Sequence, residues 1–99
     1  MYGLHGKIIA APGMRAALLG YLLENASSMP GCHVYIVSED TENPDAIWVY
    51  EIWDSPEAHR ASLNIESVQQ TIAKARPLIV GMGDRVEFTP VGGRGLPDQ

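Results

Sequence analysis

Residues 47–63, IWVYEIWDSPEAHRASL, constrain the fold more than any other stretch of this chain. Trp48, Val49, Tyr50, Ile52 and Trp53 are β-branched or aromatic, so the first half reads as a strand. Asp54-Ser55-Pro56 then stops it, with Ser55 suited to cap a helix and Pro56 to open one. Side chains alternate along a strand, which puts Ile47, Val49, Glu51 and Trp53 on one face and Trp48, Tyr50 and Ile52 on the other. Neither set is polar enough for open water. The sheet is therefore expected to be covered on both sides, by helices on one and by a second copy of the chain on the other.

The sequence has 99 residues, which suits one domain over 1–99 with a modest core, small enough for oligomerisation to help it. A net charge of −5, with the seven Lys and Arg scattered, leaves no basic stripe for nucleic acid or an anionic membrane. The single cysteine, Cys32, excludes an intrachain disulfide framework and a Cys-rich zinc site. No apolar run suggests a signal peptide or a span, so a cytoplasmic protein is expected.

Residues 4–11 (LHGKIIAA) read as a first strand closed by Pro12-Gly13. From Met14 to about Ala26, apolar residues at Met14, Leu18, Tyr21 and Leu22 predict a helix, stopped by Ser27-Ser28-Met29-Pro30-Gly31. Residues 32–39 (CHVYIVSE) form a second strand, joined through a loose polar loop at 40–45 to the central strand. After the short helix opening at Pro56, Asn64 is placed to cap another with an Ile65, Val68, Ile72, Ala75, Ile79 stripe, which Pro77 kinks or ends. Gly81-Met82-Gly83 is read as a turn into a last strand over 85–89, and residues 91–99 as a Gly/Pro-rich tail beyond a core of about 4–90. The order β-α-β-β-α-β is that of a ferredoxin-like α+β fold, with helices on one face of an antiparallel sheet. A trial register pairs Glu39 with Ala46, which sets Tyr35 opposite Tyr50 and Val37 opposite Trp48.

Glu51 is the anomaly, because a carboxylate between Val49 and Trp53 on an apolar face is costly unless paired or hydrogen-bonded. It is either an anchor accepting N–H groups of the following helix or a working acid/base group. Trp53 reads as core or as a platform for a ligand, and His59 as a surface histidine or a proton acceptor. The three histidines lie on separate elements without metal-binding spacing. Gly92-Gly93-Arg94-Gly95 has no helix after it and builds no phosphate cradle.

Glu51-x-Trp53, Pro56-Glu57-Ala58-His59 and Ala75-Arg76-Pro77-Leu78, with Pro30-Gly31 before the second strand, together resemble the antibiotic biosynthesis monooxygenase superfamily over about residues 4–90. That resemblance implies a homodimeric α+β barrel, two sheets packed on their bare faces, with a small pocket between sheet and helices in each subunit. It implies, for some members, oxygenation of quinol-like substrates by dioxygen without metal or flavin. Trp53 matches a pocket tryptophan of the polyketide anthrone monooxygenases, His59 stands at their tyrosine, and Val49 replaces their pocket asparagine, which argues against an anthrone-type substrate. The Asn-Trp-His triad of the haem-degrading branch falls on Gly6, Ser62 and Ile72, so haem degradation is not expected.

The resulting expectation is a cofactor-independent, quinol-type monooxygenase acting on a small aromatic molecule. His59 and Glu51 are its candidate catalytic residues, and Trp53 and Val49 its candidate substrate contacts. Two rivals remain open. A proton-transfer isomerase would use Glu51 and His59 without consuming oxygen, and a ligand-binding dimer would need Trp53 but not His59.

Overall fold

A computed structural model describes residues 1–26 and 29–96. The strands are β1 (Tyr2–Ala10), β2 (Cys32–Glu39), β3 (Ala46–Trp53) and β4 (Ile79–Phe88). The helices are α1 (Arg15–Leu23), α2 (Pro56–Ser62) and α3 (Glu66–Ala75), and a 3₁₀ turn, Arg76–Leu78, links α3 to β4. All strand pairs are antiparallel in the order β2-β3-β1-β4, so the first and third strands form the centre of a ferredoxin-like sheet. Among the described residues no helix is long and apolar enough to cross a membrane.

The helix-covered face holds the core. Leu18 of α1 and Ala75 of α3 meet Ile8, Ala10, Ile47 and Val49, and Leu18 and Ile47 are completely buried. Asn25, just past α1, donates to Thr71 Oγ1 (2.7 Å) and to the Ser67 carbonyl (3.2 Å), fixing α1 against α3. The opposite face carries an aromatic row. His5 stacks on Trp48 with centroids 5.0 Å apart, Tyr50 meets Phe88 at 5.5 Å, and the Lys7 ammonium lies 5.2 Å from the Trp48 ring. Gly3 makes room for Phe88, whose ring lies only 2.0 Å from where a Cβ would stand.

Several expectations are corrected. β2 is shifted by one residue from the trial register: Glu39 faces Ile47, Tyr35 faces Glu51 and Ile36 faces Tyr50. Tyr35 and Val37 thus leave the aromatic face for the helix side, and His33 falls in an irregularity that absorbs the slip. Gly81-Met82-Gly83 is not a turn. Both glycines lie in β4 opposite Ile9 and Lys7, and the 3₁₀ turn containing Pro77 reverses the chain instead.

Asn64 does not cap α3; Ile65 occupies that position with no side-chain cap, and Ile79 begins β4. The loop at 40–45 is not loose. Asp40 Oδ1 accepts the N–H groups of Glu42 and Asn43 (both 2.8 Å), Oδ2 accepts the Trp48 indole (2.8 Å), and the bonds from Asn43 and Glu42 hold the carboxyl down to about 2. Arg15 adds hydrogen bonds to the Asp40, Asn43 and Ala46 carbonyls and an ion pair with Glu39. α1 ends before the breaker cluster, of which Ser27 and Ser28 lie outside the described residues, as do Pro97, Asp98 and Gln99 of the tail.

Candidate functional site

The junction between β3 and α2 is built by local chemistry. Pro56 occupies the first turn of α2, and the Ser55 hydroxyl accepts the Ala58 N–H at 3.1 Å, so only Asp54 and Ser55 separate the strand from the helix. Gly31 lies beside this start with φ +82°, and a Cβ there would stand 3.0 Å from that of Ala58. A side chain at this position would both strain the backbone and push α2 away. The short connection turns His59 back over the end of β3. Its ring meets Trp53 edge-on at 5.4 Å between centroids and Tyr2 at 5.8 Å.

Beneath it, Glu51 and Trp53 project from β3 on the same face. Trp53 is 1 % exposed, and its indole N–H donates to Glu51 Oε1 at 3.0 Å. Glu51 therefore does not anchor α2; Ser55 does that, and the carboxylate is satisfied by the indole two residues away. Among the described residues no hydrogen bond joins Glu51 to His59, so the two are related through Trp53, which contacts both.

Two lobes of a cavity meet at Glu51 and also share Leu22 and Tyr35. One, of about 160 Å³, is bordered by Trp53, His59, Ser62 and Ile72. The other, of about 180 Å³, is bordered by Leu4, Ile8, Val49 and, at its rim, Arg85. A cavity of about 150 Å³ in an engineered protein core holds a benzene molecule, so each lobe has room for about one aromatic ring. Together they fall just inside the lower end of the roughly 300–1,000 Å³ found for small-molecule sites.

Burial moves the two titratable groups in opposite directions. It raises the Glu51 carboxyl, against the indole hydrogen bond and the Arg85 charge. It lowers the His59 imidazole, helped by Arg85 and opposed by Glu87. A lowered imidazole is neutral at pH 7, the form that accepts a proton. Tyr35 and Cys32 face the same interior; burial, and then the Glu51 charge, pushes the Tyr35 phenol well up and the Cys32 thiol up to about 11. Neither group is a ready nucleophile or base.

Of the four residues singled out from sequence, Glu51, Trp53 and His59 come together around one lobe, and Val49 borders the other. Tyr35 and Arg85 were missed as lining residues. Tyr35 was assigned to the wrong face by the one-residue register slip, and no pattern in the sequence located the irregularity at His33 that decides it. Arg85 sits in a strand segment whose pairing depends on a bulge. Among the described residues, no group of three or more His, Cys, Asp or Glu is placed to hold a metal ion.

Comparison with known proteins agrees with this architecture. The family model for antibiotic biosynthesis monooxygenase matches residues 1–74. A crystal structure from Chloroflexus aurantiacus, whose name refers to the same family, is 55 % identical with a TM-score of 0.93, covering 97 % of this chain and 98 % of that one. Structures from Deinococcus radiodurans (24 % identity, TM-score 0.76, 99 % and 100 % covered) and Caulobacter crescentus (18 %, 0.81, 92 % and 90 %) share the fold. No curated protein matches the sequence. With the family model spanning most of the chain and a neighbour similar over nearly its whole length, this chain belongs to the antibiotic biosynthesis monooxygenase family.

Proposed function

We propose that this protein is a cofactor-independent monooxygenase that oxidises a quinol-like or phenolic small molecule with dioxygen, and that it works as a homodimer. The observation that carries the reading is the ring-sized lobe bordered by a neutral imidazole, His59, and a half-buried carboxylate, Glu51, on either side of Trp53. A quinol is its own reductant. Quinol plus dioxygen gives hydroxyquinone plus water, the four electrons coming from the substrate, so the protein has only to remove a proton and hold the anion while it passes an electron to oxygen.

His59 is the base. A phenol of pKa about 10 gives its proton to an ordinary imidazole at a cost near ~5 kcal/mol, and to an ordinary glutamate at near ~8 kcal/mol. Burial narrows that gap by lowering His59 and raising Glu51. Glu51 holds the indole of Trp53, and through it the platform against which the ring lies. Val49 contributes apolar wall in the adjoining lobe. The dimer is inferred from the aromatic face, where Ile36 and Val86 are each 53 % and Tyr50 38 % exposed, a patch that a second copy would cover.

Oxygen uptake with hydroquinone tests the reading. His59→Ala is expected to lower it by roughly 10²- to 10⁴-fold, the usual loss for a general base, and Glu51→Gln by less. Unchanged uptake in the His59 variant would remove His59 from the mechanism. The raised Glu51 favours, as a second reading, a proton-transfer isomerase with Glu51 as base. Turnover of an ene-type or keto-phenol substrate without oxygen consumption would select it.

A further inference from the structure

The second lobe has a cation at its rim that the oxidation chemistry leaves unused. Between the pairs His5 with Val86 and Lys7 with Gly83, β1 contributes one residue, Gly6, and β4 contributes two, Asp84 and Arg85. This is a β-bulge, and Asp84 takes the left-handed conformation within it, φ 51°, the one non-glycine among the described residues to do so. Bulges of this kind re-aim a neighbouring side chain, and a left-handed residue other than glycine is a local strain. Here the bulge carries Arg85 to the helix side of the sheet, where it borders the lobe with Glu51, and a Cβ on Gly6 would come 3.9 Å from the Arg85 Cα. Lys7 also borders this lobe, but its ammonium lies over Trp48 on the opposite face.

Arg85 already pairs with Glu87 through one nitrogen, Nη1 to Oε1 at 2.8 Å, and its side chain remains 56 % exposed. The Tyr2 phenol also hydrogen-bonds Arg85. A guanidinium has five donors in a planar fork, more than these two partners use, so donors remain to take a carboxylate in two-point contact. Two strand spacings separate β3 from β4, putting the Glu51 and Arg85 backbones about 10 Å or slightly more apart. That span, filled by apolar wall from Leu4, Ile8 and Val49, suits one aromatic ring with a hydroxyl at the Glu51 end and an anionic group at the Arg85 end.

We propose that Arg85 is a specificity-determining residue that selects phenolic ligands carrying a carboxylate, binding that group at the β4 rim of the cavity. This goes beyond the proposed function, in which the reacting ring lies against Trp53 in the adjoining lobe, and rests on its assignment of the cavity as the ligand site.

The test is equilibrium binding of two probes that differ in charge, 4-hydroxybenzoate and 4-hydroxybenzyl alcohol, followed calorimetrically. The wild type is expected to bind the carboxylate at least tenfold more tightly, with a preference that shrinks as salt is raised. Arg85→Met should bring the carboxylate down to the affinity of the alcohol, and Arg85→Lys, keeping the charge but not the fork, should retain only part of the preference. Equal affinities in the wild type, or an undiminished preference in Arg85→Met, would overturn the proposal. If the Met variant does not fold, full retention of the preference in Arg85→Lys overturns the two-point contact and partial retention supports it. Oxygen uptake by the wild type with hydroquinone separates the two readings. A missing preference with uptake intact overturns the role of Arg85 alone, and a clear Arg85-dependent preference without uptake supports that role while removing the oxygenase reading.

Discussion

The two faces of β3 differ in what they surround. On the helix side Val49, Glu51 and Trp53 border a cavity, with a carboxylate kept inside by an indole hydrogen bond. On the other side Trp48 and Tyr50 join His5 and Phe88 in an aromatic row without a helix over it. Both faces are largely apolar by composition, Glu51 being the one charge. The helices alone make them different, because α1 and α3 hold the first face at a distance that leaves ring-sized gaps, and the second face packs on itself. A single eight-residue strand thus borders a ring-sized cavity on one side and, on the other, the aromatic surface proposed for association.

The largest change should come from placing a charge on the association face. Tyr50→Glu is expected to convert the proposed dimer to monomer or unfold the protein, with light scattering at micromolar concentration as the readout. A monomeric wild type would break the assignment of that face. Next in size is loss of the cavity platform. Trp53→Ala removes a side chain that is 1 % exposed and should cost about 3–5 kcal/mol in urea unfolding, the range for a buried tryptophan. A cost below about 1 kcal/mol would mean that the helix face is no better packed than a surface, where substitutions usually fall within about 0.5 kcal/mol.

The smallest effect sharpens the electrostatic difference. Burial raises the folded-state pKa of Glu51, so the native state holds its proton more tightly than the unfolded chain does. The penalty for burying the charge is then fully present above the folded pKa and disappears as pH falls to the unfolded value near about 4.3. Glu51→Gln keeps an acceptor for the indole and removes the charge. Its stability relative to wild type should be higher at pH 8 than at pH 4.5. His59, whose lowered pKa costs stability as pH falls below about 6.5, is common to both proteins and drops out of the difference. A relative stability independent of pH would show that the carboxylate is solvated.

Much of the site was legible in residues 47–63. The alternation placed Glu51 and Trp53 on one face, and Ser55-Pro56 fixed the start of α2, which is why His59 falls back over Trp53. Boundaries set by φ restrictions and hydrogen-bonding side chains are local, and these were readable. The hydrogen bond between Glu51 and Trp53 is not legible in the alternation, which puts both on one face, because strand geometry fixes the direction of a side chain and not its rotamer.

The sequence by itself determined the element order, the two-faced character of β3 and the strand-to-helix junction, because each follows from interactions within a few residues. Only the tertiary structure decided the register of β2, the bulge in β4 and the size of the cavity. A one-residue slip at His33 moves Tyr35 from the aromatic face to the cavity, and one extra residue in β4 moves Arg85 to its rim. These depend on how distant strands balance hydrogen bonding against burial, and the alternation of a single strand contains no information about where its partner inserts a residue.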